Sequence, residues 1–191
     1  MSDLEFYARL AVRGDVLGAG IGSQPAEWEQ RLGPDYYDNA SPGLLSRDYG
    51  LVELSFQEDG GEWPCFGINV RVRSLIRGAD VVPQKIKEMY GKFTHRVKID
   101  ELSGLVSTMG CSVESDNDAS VTDGFHRYRV SGTGARIFVV ADADPYGRGD
   151  IDPDDPMEKQ VGDVISINLS PAWWSPRARE LRGGRRGALD V

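Results

Sequence analysis

Three alternate glycines lead into a predicted helix in the sequence GDVLGAGIGSQPAEWEQRLG, residues 14–33. A glycine-rich turn before a helix can bind phosphate with its backbone N–H groups, and the dinucleotide-binding form is GxGxxG within a βαβ unit. Here Gly18, Gly20 and Gly22 give GxGxG, Ser23 stands in place of the third glycine, and the chain has no GK[ST] motif. We therefore predict a tight turn into a helix capped by Ser23, and no phosphate site.

The sequence DADPYGRGDID begins like a calcium-binding loop, because Asp142, Asp144 and Gly147 match its first half. Calcium needs six or more oxygen ligands, and in the EF-hand loop the twelfth position supplies a bidentate glutamate. The fifth position is Tyr146 and the twelfth is Pro153. The segment therefore predicts no metal site.

A catalytic nucleophile or base would have to come from Cys65, Cys111, His95, His126 or a carboxylate. No spacing singles out any of them, and His126, beside alternating arginines, is typical of a surface strand. The two cysteines are far apart and form no CxxC pair, so they indicate neither a zinc site nor a disulfide. We predict no catalytic residue, no cofactor and no metal, and a protein that is not an enzyme.

The chain has 191 residues, of which 40% are hydrophobic, enough for one domain or two small ones. Its net charge of −8 argues against general binding to nucleic acid or to anionic membranes and favours a basic partner. The first residues do not form a signal sequence, and no segment approaches the roughly 20 apolar residues that span a bilayer. We expect a cytoplasmic protein.

Hydrophobic periodicity predicts two short helices, a loop and an antiparallel hairpin in the first half of the chain. The helices cover residues 3–12 and 23–33, the loop 35–46, and the strands lie within 47–56 and 63–73. Alternation in the first strand places Gly50, Val52, Leu54 and Phe56 inward. In the second strand it places Phe66, Ile68, Val70 and Val72 inward, with Cys65, Asn69, Arg71 and Arg73 outward. The second half predicts helices within 82–93 and 99–110, a polar loop, and strands flanking 131–134 and covering 162–170.

This order of elements indicates a tandem repeat. Tyr49 aligns with Tyr128, and residues 68–70 align with 167–169 once an insertion of about twenty residues is allowed. The insertion, 142–163, carries eight acidic and two basic residues. We predict an α+β fold, an antiparallel sheet with short helices packed on one face. Its parts are a first repeat at 1–78, a second at 79–174 and a flexible basic tail at 175–191.

The outward face of the predicted sheet combines tyrosine, tryptophan, asparagine and arginine, and tyrosine, tryptophan and arginine are enriched at binding hot spots. The candidate partner-binding residues are Tyr36, Tyr37, Tyr49, Glu53, Trp63, Asn69, Arg71, Arg127, Arg129 and Asn168, with Asp152, Asp154 and Asp155 from the acidic insertion.

A glycine followed by W-x-x-x-L-G-x-D, between Gly20 and Asp35, together with the repeated helices and strands, resembles the β-lactamase-inhibitor-protein-like fold. Small outer-membrane assembly lipoproteins share that fold as single repeats. The resemblance covers about residues 14–72 by motif and the second half by pattern. It implies a binding protein that grips another protein with its sheet face and loops. By position, it assigns that role to Tyr49, Glu53, Asn69, Arg71, Arg127, Arg129 and Asn168, with an aspartate of the acidic loop.

The chain differs from the secreted inhibitors in lacking a signal peptide and disulfide cysteines, which favours a cytoplasmic immunity protein that neutralises a toxin. The alternative hypothesis is an enzyme that binds a small molecule or anion with the guanidinium groups of Arg71, Arg73, Arg127 and Arg129.

Overall fold

The computed structural model describes residues 1–116, 124–147, 149, 152, 155 and 157–171. Its helices are α1 (Asp3–Arg13), α2 (Pro25–Leu32), α3 (Gln84–Tyr90) and α4 (Ile99–Thr108), with 3₁₀ helices at Val72–Arg77 and Ala79–Val81. A small hairpin is formed by β1 (Asp15–Val16) and β2 (Ala19–Gly20). The main sheet contains β3 (Tyr37–Ser41), β4 (Leu44–Asp48), β5 (Val52–Gln57), β6 (Cys65–Val70), β7 (Val113–Ser115), β8 (Phe125–Val130), β9 (Arg136–Val140) and β10 (Val164–Leu169).

The eight strands of the main sheet are antiparallel and lie in the order β3-β4-β5-β6-β10-β9-β8-β7. The protein is therefore of the α+β class, as the sequence predicts. Each half of the chain contributes four consecutive strands, and the halves meet where β6 pairs with β10, with Asn69 opposite Asn168. A tandem repeat with boundaries at 78 and 79 is compatible with this order and stays a prediction.

The helices pack on one side of the main sheet around a single core. Phe6, Leu10 and Trp28 from α1 and α2, with Ile86 and Leu102 from α3 and α4, belong to the same buried cluster as the apolar strand residues. The strand members of that cluster include Val52, Leu54, Phe56, Ile68, Val70, Ile137, Val139 and Ile167. Burial of this apolar surface is the main force that holds the helices on the sheet.

Capping residues determine where the first two helices begin and where α1 ends. Ser2 and Glu5 form a capping box at the start of α1, which the sequence predicts, and Gly14 ends the helix in the left-handed conformation. The prediction that Ser23 caps α2 is wrong, because Gln24 occupies that position. The hydroxyl of Ser23 instead accepts a hydrogen bond from the backbone N–H of Gly20, 3.3 Å away.

The prediction of a loop at residues 35–46 is also wrong, because this segment forms the hairpin of β3 and β4. Pro42 and Gly43 make its two-residue turn, and Gly43 has a φ of 73°. All five residues of β3 are exposed, so this edge strand lacks the apolar alternation from which a strand can be predicted.

Two predicted strand faces need correction. Tyr49 is buried rather than outward, because the chain turns at Gly50, whose φ is 87°, and β5 begins only at Val52. In β6, Ser55 pairs with residue 67 but Phe56 pairs with Cys65, so Phe66 is an extra residue in a β-bulge. The bulge reverses the alternation, so Cys65 is buried and Phe66 is only partly buried.

Candidate functional site

The side of the main sheet opposite the helices, called the open face below, carries polar side chains across its whole width. Directly opposed residues of neighbouring strands share a face of the sheet. Successive pairs therefore define one row across all eight strands, the polar row, formed by Tyr37, Asp48, Glu53, Asn69, Asn168, Arg136, Arg129 and Glu114. None of these residues is buried.

An arginine that bridges two carboxylates organises the first half of the open face. Arg71 follows β6, and its guanidinium forms an ion pair with Asp48 and lies 3.8 Å from the carboxylate of Glu53. It also donates a 2.7 Å hydrogen bond to the carbonyl of Gly50. One positive and two negative groups leave this region with a surplus of negative charge.

The second half has the opposite arrangement, because three arginines converge on one buried carboxylate. The distances from Asp116 to Arg127, Arg129 and Arg136 are 2.8, 3.5 and 3.6 Å. Burial, together with the charges of Arg129 and Arg127, lowers the pKa of Arg136. We call these four residues the arginine cluster, and its local charge is positive.

Two asparagines join the halves at the centre of the polar row. The side-chain amide of Asn69 donates to Glu53 over 3.2 Å. The side-chain amide oxygens (Oδ1) of Asn69 and Asn168 are buried and accept no hydrogen bond from the described residues. Because an unpaired buried acceptor costs free energy, a donor supplied at this point would be stabilising.

The structure brings together about half of the predicted partner-binding residues. Those on the open face are Glu53, Asn69, Arg71, Arg127, Arg129 and Asn168, with Tyr37 at its edge. The four arginines of the alternative hypothesis do not form one cluster. Arg73 lies in a 3₁₀ helix and donates to the carbonyl of Met157, and two strands, or about 14 Å, separate β6 from β8.

Tyr36 and Tyr49 lie elsewhere, around the buried guanidinium of Arg47. Arg47 forms a bidentate pair with Asp38, at 2.8 and 2.9 Å, and its guanidinium carbon lies 3.6 Å above the ring of Tyr36. Burial opposes the charge of Arg47, but the hydrogen bonds and charges of Asp38 and Tyr49 together outweigh it, so the pKa of Arg47 is raised. The ring of Tyr49 packs 5.3 Å from that of Tyr36, so it stabilises the fold at this edge.

The remaining predicted residues lie outside the sheet. Trp63 precedes β6, is partly buried, and has its backbone N–H bonded to the side chain of Gln24 in the turn before α2. Asp152 and Asp155 belong to the insertion, and Asp155 accepts a hydrogen bond from the N–H of Met157. Asp154 lies outside the described residues, as does the predicted tail at 175–191.

Two basic side chains donate hydrogen bonds to backbone carbonyls at the end of the acidic insertion, residues 142–163. Arg96 donates to the carbonyl of Glu158 over 3.0 Å, and Lys98 donates to the carbonyl of Val161 over 3.0 Å. Both also pair with the buried carboxylate of Asp163, at 3.2 and 2.8 Å. The insertion is therefore attached to the segment between α3 and α4.

Sequence reasoning missed Asp48, Glu114, Asp116 and Arg136. Alternation around the buried residues Ile137 and Val139 could have placed Arg136 outward. Asp116 is in a polar loop with no periodicity, so nothing local shows that it anchors three arginines.

The described residues contain no group of three or more His, Cys, Asp or Glu side chains arranged to hold a metal ion. His126 is exposed on β8, as its neighbours in the sequence predict. Burial raises the pKa of the Cys65 thiol to about 12, so at neutral pH it is not a nucleophile.

Comparison with known proteins gave no match: no family model fits the chain, and no curated protein or solved structure is significantly similar to it. In the part of the chain that the structure describes, every helix is too short or too polar to cross a bilayer.

Proposed function

We propose that this chain is a non-enzymatic protein-binding module that holds another protein on its open face. The polar row carries the proposal: a continuous set of polar side chains crosses eight strands, and none of them is buried. An uncovered, mixed-charge sheet face of this width can recognise a surface of another protein by charge and shape.

Charged side chains of the open face are held in place by ion pairs within the protein itself. Ion pairs fix Arg71 against Asp48, and Arg127 against Asp116, so these side chains lose little conformational freedom on association. Preorganised charges favour one orientation of the partner and reject surfaces with the wrong charge pattern.

The charges define the partner. Asp48 and Glu53 favour basic side chains opposite the first half of the open face, and the arginine cluster favours an acidic group opposite the second. At long range the net charge of −8 and the acidic insertion attract a basic protein. The resemblance to inhibitor-type binding proteins supports a toxin or enzyme as the target, and we propose that the chain is a cytoplasmic immunity protein or inhibitor.

The experiment first identifies the partner by crosslinking. It then measures the affinity between the purified partner and this protein. A photo-crosslinking amino acid replaces Tyr37, which is 75% exposed at the end of the polar row, and the control carries it at Met89, 44% exposed on α3. The partner should be captured from position 37 only. Capture from position 89 alone would contradict the proposal.

Affinity is then compared between Glu53→Lys, on the open face, and Glu101→Lys, which makes the same charge change on an exposed position of α4. We expect at least a tenfold rise in Kd for Glu53→Lys, no change for the control, and weaker binding as salt rises. Equal loss in both variants would show that net charge alone, and not the open face, determines binding.

A further inference from the structure

A second surface, on the helix side of the protein, has the properties of a ligand site. A cavity of about 290 Å³ lies between α1, the turn between β1 and β2, and the end of α3. Its walls include Phe6, Arg9, Arg13, Leu17, Met89 and Tyr90. Phe6 and Tyr90 are otherwise buried, whereas Met89 is 44% exposed, so part of the lining is apolar surface open to solvent.

Two guanidinium groups line this cavity without a carboxylate partner. Arg9 and Arg13 are one helical turn apart on α1, and no carboxylate of the described residues lies within ion-pair distance of either. The Nε atom of Arg9 is buried and has no hydrogen-bond partner among those residues. In a chain with 30 acidic and 22 basic residues, an unpaired arginine pair needs an explanation.

Among the residues that the structure describes, the one carboxylate in the cavity wall, that of Asp15, already has a partner. Asp15 accepts a 2.9 Å hydrogen bond from the backbone N–H of Gly18, across the turn that Leu17 makes in the left-handed conformation, with φ 54°. The guanidinium carbon of Arg31 lies 4.0 Å from the position that a Cβ on Gly18 would take. Three arginines and one engaged aspartate make this corner positive, although the net charge of the protein is −8.

The glycine turn itself offers no anion cradle, because its N–H groups are already used. Gly20 donates to the hydroxyl of Ser23, and Gly22 donates to the carbonyl of Cys65. Any anion in the cavity would therefore be held by arginine side chains, which bind phosphate and carboxylate in a bidentate manner.

We infer that this cavity binds a small organic anion, a phosphate or carboxylate joined to an apolar or aromatic group. The anionic end pairs with Arg9 and Arg13, and the apolar part covers Met89 and the edges of Phe6 and Tyr90. The site is independent of the open face, which lies on the other side of the sheet.

Binding is measured by isothermal calorimetry on the full chain with phenyl phosphate, benzoate, inorganic phosphate and phenol. Phenyl phosphate or benzoate should bind saturably at one site, at least tenfold more tightly than inorganic phosphate, and phenol should not bind. Equal affinity for inorganic and phenyl phosphate, or absence of saturable binding of both organic anions, would overturn the inference.

The variants Arg9→Gln and Arg13→Gln locate the site. Arg13 is exposed, so its replacement leaves the core intact even if Arg9→Gln affects folding. Arg77→Gln, at an exposed position outside the cavity, is the control with the same charge change. We expect at least a tenfold rise in Kd in the two cavity variants and none in the control. Amide shifts on titration should centre on residues 13–18 and 89, and shifts confined to the open face would contradict the site.

Discussion

Replacement of Gly50 by alanine tests whether the turn before β5 depends on a close backbone contact. Gly50 has a φ of 87°, and a Cβ built on it would lie 2.3 Å from the carbonyl oxygen of Val81. That carbonyl also accepts the N–H of Leu51 over 2.7 Å, so it cannot move without breaking a hydrogen bond. The backbone of Gly50 also contacts two residues of the open face: its N–H donates to the carboxylate of Asp48, and its carbonyl accepts a hydrogen bond from Arg71.

The expected loss in the free energy of unfolding combines the cost of a positive φ with the cost of the close contact with Val81, and a matched control can separate the two. The left-handed conformation costs alanine about 1–2 kcal/mol, partly offset by about 0.4–1 kcal/mol from the lower entropy of the unfolded chain. Gly22 has nearly the same φ, 93°, but a Cβ there meets no atom within 4 Å. Gly22→Ala should therefore lower the free energy of unfolding by about 1 kcal/mol. Gly50→Ala should lower it by a further 2 kcal/mol or so, because the backbone must shift.

Urea unfolding followed by circular dichroism measures both variants, with the slope m compared to confirm that the same transition is observed. A difference between Gly50→Ala and Gly22→Ala below about 0.5 kcal/mol would refute the close contact with Val81, because the conformational cost is common to both.

Two further predictions concern buried groups. Asp38→Asn should lower the free energy of unfolding by about 3 kcal/mol, since it removes the bidentate carboxylate partner of Arg47, whose side chain is 6% exposed, and leaves only the more distant carboxylate of Glu29, 3.9 Å away; urea unfolding of the variant at pH 7 measures this, and a loss below 1 kcal/mol would contradict it. Iodoacetamide at pH 8 should modify the partly exposed Cys111 and leave Cys65 unmodified, because burial raises the pKa of Cys65 to about 12 and keeps its thiol protonated; mass spectrometry of tryptic peptides identifies the labelled residue, and rapid labelling of Cys65 in the native protein would contradict the placement.

Much of the fold could be predicted because its core follows simple periodicities. Leu54, Ile68 and Val70 alternate along their strands, and the capping box of Ser2 and Glu5 marks the start of α1. The failures have local physical causes. The hairpin of β3 and β4 is held by backbone pairing and the Asp38–Arg47 pair rather than by apolar alternation, and the bulge at Phe66 shifts the alternation by one residue.

The candidate site was less predictable, because cross-strand neighbours are distant in sequence. Alternation places Asn69 and Asn168 outward on separate strands, but only the sheet order shows that they face each other. Likewise, Asp116 becomes the centre of the arginine cluster because β7, β8 and β9 are adjacent. Tyr49 shows the reverse case, a residue type common in interfaces that the fold uses in its core.

The pairing of β6 with β10 joins residues about a hundred positions apart, whereas the hairpins of the same sheet close within far shorter loops. Because loop closure becomes more costly with length, this pairing is the contact of the sheet that contributes most to its folding time. Only a chain that has emerged past residue 169 can present the whole polar row, so a partner that requires both halves would distinguish finished molecules from incomplete ones.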